Sequence, residues 1–233
     1  MHFIVLTLYP ELFSSFLGSG LLNKAQGEGR ITVEMVNFRV HGLGNHRSVD
    51  DSPYGGGAGM LLRPEPIIET LEDCEKRFAG QRLHKILISP QGTPYRQVRA
   101  SELSKVDSPI VLICGRFEGF DERIRHYIDE EISIGDFVMM GGEIAAMAVI
   151  ESVSRLIPGV VGNQESLDQE SFNRGLLEHD QYTRPFEFRG YKVPEILLSG
   201  NHQKIKEWCQ TNAIQKTREK RRDLFRLHFP EEE

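Results

Sequence analysis

The feature that most constrains this chain is a join used more than once, in which an apolar run stops at a glycine-rich turn. Ile110, Val111, Leu112 and Ile113 form an uninterrupted apolar run that reads as a buried strand, and Gly115-Arg116-Phe117-Glu118-Gly119 follows it. A shorter apolar stretch leads into Ile134-Gly135-Asp136, and the chain then runs through Gly141-Gly142-Glu143 into a helix. Residues 85–89 read as another strand, closed by Pro90-Gln91-Gly92. Glycine at a strand end lets a ligand approach the backbone, and in parallel α/β folds ligands gather at the carboxyl ends of strands. One such turn alone reads as an ordinary β-to-α connection. Two of them around Glu118, Asp121, Glu122 and Asp136 favour a binding site.

The rest of the chain fits an α/β frame. Residues 3–8 read as a strand, and Pro10-Glu11 starts a helix because Pro suits a first turn and Glu its positive end. That helix is expected to carry Leu12, Phe13, Phe16, Leu17 and Leu21 and to stop near 26–29. Residues 31–40 alternate as a second strand, so the opening is β-α-β and predicts a parallel sheet. A long polar loop, 41–60, ends in Tyr54-Gly55-Gly56-Gly57-Ala58-Gly59. Its glycines suit either a cradle for a phosphate or base, or a plain surface loop. The GK[ST] ending of a nucleotide-binding P-loop is missing, which argues against an NTPase. Helices are expected over 64–78, 97–105, 121–129 and after Gly142, the last with Met147, Ile150, Val153 and Ile157 at core spacing. Residues 163–173 read as a linker. Beyond it, Ser199 is the expected cap of a helix bearing Ile205 and Trp208.

Charge separates the two parts. The chain totals −6, yet residues 202–228 hold eight Lys or Arg against three acids. A local basic segment governs phosphate binding more than the global sum does, so this one is a candidate RNA contact. No apolar run approaches the roughly 20 residues of a membrane span. The N-terminal run MHFIVLTLYP reads as a strand rather than a secretion signal. Cys74, Cys114 and Cys209 are odd in number and in no CxxC pair, which predicts free thiols, a reducing cytoplasmic setting and no structural metal.

Taken together, SPQG (89–92), CGRFEGFDER (114–123), SIGDFVMMGGE (133–143), SRLIPGV (154–160), LLSGNH (197–202) and RSVDDSPYGGGAGM (47–60) resemble the bacterial tRNA (guanine-N1)-methyltransferases of the SPOUT superfamily. The motifs stand in the same order over nearly the whole chain. The resemblance implies a parallel α/β sheet with a deep trefoil knot over 1–160, a linker over 161–175, and a small, mostly helical tRNA-binding domain over 176–233. It also implies a homodimer with the active site at the subunit interface and no membrane association. Periodicity did not predict a knot, which the usual rules of chain connection disfavour.

The implied methyl donor is S-adenosylmethionine, with Mg²⁺ allowed as an assisting ion and no metal ligand assigned. The resemblance places the donor against three loops: Leu87, Ser89, Pro90 and Gln91; Gly115, Phe117, Glu118 and Gly119; and Ile134, Gly135, Phe137, Val138, Met139, Gly141 and Gly142. Glu118 would face the cationic end of the donor, or else cap the helix that follows. The implied acceptor is N1 of the guanosine immediately 3′ of the anticodon in tRNA, held by Asp50, Tyr54, Gly55, Gly56, Gly57, Ala58 and Gly59. Methylating N1 requires removal of its proton and support for charge on O6. Arg155 aligns with the family arginine for O6, and it could equally pair with Glu151 one turn back. The family's base is an Asp just before Ser-Phe. Here that position is Glu170, with Asp168 as the runner-up, and Ala58 stands where the family commonly has Pro.

Other readings remain. A SPOUT enzyme acting on a ribose 2′-hydroxyl or another base would not need the linker carboxylate, and a silent RNA-binding module would not need intact donor loops.

Overall fold

A computed structural model describes residues 1–162, 170–173 and 175–230. The chain forms two compact units, Met1–Gly162 and Asn163–Glu233.

The first unit opens β-α-β with a broken helix. β1 (His2–Leu6) is followed by a 3-10 turn at Pro10–Phe13, then α1 (Ser14–Leu17) and α2 (Gly20–Gly27). The single helix expected from residue 10 is interrupted at Gly18-Ser19-Gly20, where glycine removes about 1 kcal/mol of helix preference per residue. The break re-aims the chain, so Phe13, Leu22 and Ala25 are buried while Leu12 and Leu21 stay exposed. β2 (Thr32–Val36) stops short of residue 40 because a 3-10 turn intervenes, capped by the Asn37 side chain accepting from the Arg39 N–H.

Within the long loop, β3 (Asp50–Asp51) pairs antiparallel with β4 (Leu61–Leu62). The remaining elements are α3 (Pro64–Arg77), β5 (His84–Pro94), α4 (Gln97–Leu103), β6 (Ile110–Cys114), β7 (Glu130–Ser133) and α5 (Glu143–Ser154). The helix expected over 121–129 is a 3-10 segment, Glu122–Tyr127, started by the Asp121 carboxylate accepting from the Arg123 N–H.

The main sheet has the order β2-β1-β6-β5-β7, with every pairing parallel. Alternation along each strand builds two cores. Phe3, Val5, Ile86, Ile88, Ile110 and Leu112 join Ala25 of α2, Leu103 of α4 and Val149 of α5 on one face. Ile4, Leu6, Leu87, Val111 and Ile113 join Ile67 and Leu71 of α3 on the other. A strand covered on both faces must be apolar at every position, which is why 110–113 carries no polar residue. Fully burying one such side chain contributes about 1.5–3 kcal/mol.

The third glycine turn differs from expectation. It lies inside β5 rather than after it: Ile88 and Thr93 both pair with Ile132, so residues 89–92 leave the ladder and return to the same partner. Gly92 permits the return, since a Cβ there would stand 2.4 Å from the Ile132 backbone nitrogen.

The second unit contains the hairpin β8 (Glu187–Phe188) and β9 (Tyr191–Lys192), then α6 (His202–Lys220) and α7 (Arg222–His228). The cap of α6 is Asn201, which accepts from the Lys204 N–H, and not Ser199; the Ser199 hydroxyl donates to the Ile196 carbonyl. Polar contacts organise this unit. The Thr217 hydroxyl accepts from the Leu177 N–H, Asn212 accepts from the Asp180 N–H, and Lys216 pairs with Asp180 at 2.8 Å. No hydrophobic side chain is fully buried among its described residues.

Candidate active site at the carboxyl ends of the central strands

The three loops that leave β5, β6 and β7 line one cleft of about 170 Å³. The β5 excursion supplies Ser89 and Pro90. The turn after β6 supplies Gly115, Phe117, Glu118 and Gly119. The segment after β7 supplies Ile134, Gly135, Phe137, Val138, Met139, Gly141 and Gly142. Two named residues lie outside the lining. Leu87 is buried in the opposite core, and the Gln91 side chain accepts from Arg125 at 2.8 Å. Ile88, Arg116 and Met140, inside the loops the resemblance names, also line the cleft, and so do Phe120, Ile132 and Ala145, to which sequence reasoning gave no role.

The loops are fastened to one another. The Gly142 N–H donates to the Gly115 carbonyl at 2.9 Å, and Arg116 and Gly141 form a bridge. Beneath them lies an ion pair that sequence reasoning missed. Arg116 meets both oxygens of Glu143, at 3.1 and 3.0 Å, and the Thr7 hydroxyl donates to the same carboxylate at 2.8 Å. The Glu143 side chain is only 2% exposed, and the guanidinium also lies 4.3 Å from the Tyr9 ring centroid. The clue in the sequence was the pairing of an arginine in GRFEG with an acid in GGE, but only the fold brings them together. The turn is strained at Phe117, a non-glycine residue at φ 60. Such outliers persist where the surroundings over-determine them.

The acids of this stretch divide into two groups. Asp121 pairs with Arg123 at 2.8 Å, and the hydrogen bond from that guanidinium holds its carboxyl below the usual range. Glu122 and Glu131 both engage Arg125. Glu118 and Asp136 have no such partner among the described residues, and Glu118 stands on the cleft wall. Cys114, fully buried at the end of β6, has its thiol pushed well above the ordinary cysteine range by burial. It is packed in the core and is not a nucleophile. No group of three or more His, Cys, Asp or Glu side chains gathers as a metal cage among the described residues, and no described helix is long and apolar enough to cross a membrane.

The glycine-rich loop meets the cleft at its Glu118 wall. The Glu118 N–H donates to the Met60 carbonyl at 3.0 Å, and the Leu62 N–H donates to the Gly119 carbonyl at 2.8 Å. Gly59, at φ 88, touches Glu118 so closely that a Cβ would lie 2.3 Å from its Cγ. Asp50 sits in β3, while Tyr54 and the glycines at 55–57 project into solvent with Ala58. The loop is therefore anchored at both ends and open in the middle. Arg155 caps the carboxyl end of α5 and is half-buried. Glu170 is in the second unit, its carbonyl accepting from the Asn173 N–H, and Asp168 lies outside the described residues.

The sequence model of the family described as tRNA (Guanine-1)-methyltransferase TrmD matches residues 1–227. A tRNA (guanine-N(1)-)-methyltransferase of Anoxybacillus flavithermus is 49% identical over 229 residues, covering 98% of this chain and 93% of the relative. The proteins of the same name from Bacillus subtilis and Anaeromyxobacter sp. are 49% and 48% identical, covering 96% and 97% of this chain and 91% and 92% of their own lengths. With a match that runs through both units, the chain belongs to the tRNA (guanine-1)-methyltransferase family of enzymes.

Proposed function

We propose that this enzyme methylates N1 of the guanosine immediately 3′ of the anticodon in tRNA, using S-adenosylmethionine. The observation that carries the reading is the cleft built from three strand-end loops with the glycine-rich loop against its wall. The residues present fit such a donor. Close backbone from glycine turns can take the hydrogen bonds of an adenine, Ile88, Ile132 and Met139 offer apolar contact, and Glu118 offers a carboxylate to a cationic group. When bound, the donor supplies an activated methyl group on a sulfonium.

The remaining chemistry falls to side chains. The Glu170 carboxylate takes the N1 proton as the N1–methyl bond forms, and the Arg155 guanidinium donates to O6 as negative charge builds there. Asp168 is the alternative base. The segment 50–59 holds the guanine, with the anchored Gly59 end keeping it beside the donor loops. The same reading takes the first unit as a SPOUT fold with a deep trefoil knot, supported by the return of 134–142 from edge strand β7 to Gly115 beside β6. It takes the protein as a homodimer with the site at the interface, supported by Val138 and Met140, which border the cleft at 88% and 91% exposure. The net basic segment 202–228 supports tRNA binding by the second unit.

The test is labelled-methyl transfer to tRNA transcripts carrying G or A immediately 3′ of the anticodon. Labelling of the G form alone is expected, and equal labelling of both would refute the substrate. In single turnovers, Glu170→Gln is expected to slow transfer by about 10²–10⁴, the usual share of a general base. An unchanged rate, with Asp168→Asn slow instead, would move the role to Asp168.

A further inference from the structure

The hairpin of the second unit has two unlike faces. Glu187 stands opposite Lys192 and Phe188 opposite Tyr191. Cross-strand partners share a face and successive residues alternate, so the aromatic pair occupies one face and the charged pair the other. On the charged face Lys192 and Glu187 meet at 3.6 Å. On the aromatic face Phe188 is 62% exposed and Tyr191 is 83% exposed. Tyr182 and Phe186 nearby in sequence are also exposed. A lone two-stranded hairpin is marginal in water and gains nothing by leaving rings unburied.

The turn adds a second observation. Arg189 and Gly190 adopt φ 52 and 86, the paired left-handed conformation of a type I′ turn. Asn, Asp or Gly suits the first of those positions, whereas arginine adopts it against its preference. The guanidinium so placed lies 5.3 Å from the Phe188 ring centroid. Residues 182–192 hold three cations, Arg184, Arg189 and Lys192, against the single acid Glu187.

We propose that this aromatic face is a stacking platform for unpaired bases of the bound tRNA, with Arg184 and Arg189 neutralising the adjoining phosphates. The inference rests on the tRNA reading above and assigns one surface within it. Rings interleaved with cations suit a polyanion with flat bases better than an apolar protein face. Every base has a π-face, so the platform contributes affinity and register and leaves the choice of guanosine to the first unit.

The test uses the full chain, with tRNA affinity read by anisotropy across a salt series, S-adenosylmethionine affinity by calorimetry, and mass by light scattering. Phe188→Ala with Tyr191→Ala is expected to weaken tRNA binding about tenfold or more, with the donor affinity and the salt slope unchanged. Arg184→Gln with Arg189→Gln is expected instead to flatten the salt slope by up to about 2. Tyr191→Trp should gain a fluorescence quench on adding tRNA, beyond that of the native Trp208. If the double alanine variant misfolds by circular dichroism, Tyr191→Leu keeps apolar bulk without a ring and should still weaken binding about fivefold. A tRNA affinity within twofold of wild type overturns the platform. So does a fall in mass of the alanine variant, which would make the face a contact between copies. A wild-type chain that binds tRNA but methylates no guanosine refutes the proposed function and leaves the platform standing.

Discussion

The cleft of the first unit and the basic end of the second hold their charges in opposite ways. In the first unit arginines are tied to acids from distant parts of the chain, Arg116 to Glu143 at the cleft and Arg99 to Glu130 elsewhere on the sheet. In the second unit Lys216 reaches back to Asp180, but Arg221–Asp223 and Lys192–Glu187 are local and exposed, and no described hydrophobic residue is fully buried. A cleft that must present fixed backbone atoms benefits from side chains locked before a ligand arrives. On the proposed function, the second unit's surface meets a hydrated polyanion, which favours cations that can still move and shed counterions. The same residue types thus build a rigid mould in one place and an adaptable face in the other.

That contrast can be broken, and the strongest blow falls on Arg116. Replacing it by Met leaves the buried Glu143 carboxylate without its counter-charge and should cost about 3 kcal/mol in urea unfolding, the low end for such a loss because a fifth of the arginine is solvated. Donor affinity should fall with it, since the 115–119 and 141–143 loops lose their common anchor. In the second unit, Asn201→Ala removes the cap of α6 and should cost about 1 kcal/mol, read as a lower midpoint of the helical transition. A larger loss from Asn201 than from Arg116 would invert the comparison. The smallest effect is a pH dependence of the first unit. Burial raises the Glu130 pKa, but hydrogen bonds from His84 and Arg99 outweigh it and hold the carboxyl below its ordinary 4.5. A depressed carboxyl stabilises the fold above the unfolded value and stops doing so as pH falls through the folded one. Thermal midpoints should therefore drop below about pH 4.5, and Glu130→Gln should flatten that limb.

Much of the frame was legible in the chain itself. The apolar run at 110–113 and the alternation at 31–35 carry their own period, and a parallel α/β sheet follows from them. The broken helix at Gly18 and Gly20 was written in the sequence too, but the apolar residues on either side masked it. The Asn201 cap was misplaced by two residues because Ser199 is equally suited by type, and only the fold decides which side chain faces the first free N–H. The β5 excursion and the Thr7–Glu143–Arg116 anchor could not be placed from the sequence. Each depends on residues more than 25 positions apart, and no local pattern encodes such a meeting.

The excursion in β5 has a consequence for how this site can vary. In a sheet, adding one residue normally turns every later side chain to the wrong face. Here the ladder leaves at Ile88 and resumes at Thr93 against the same Ile132, so residues 89–92 lie outside the count. Length and composition at that rim of the cleft are therefore uncoupled from the register of the core. The sheet can keep its alternation while the rim is remade, provided the last residue of the excursion, Gly92, still has no side chain to strike Ile132.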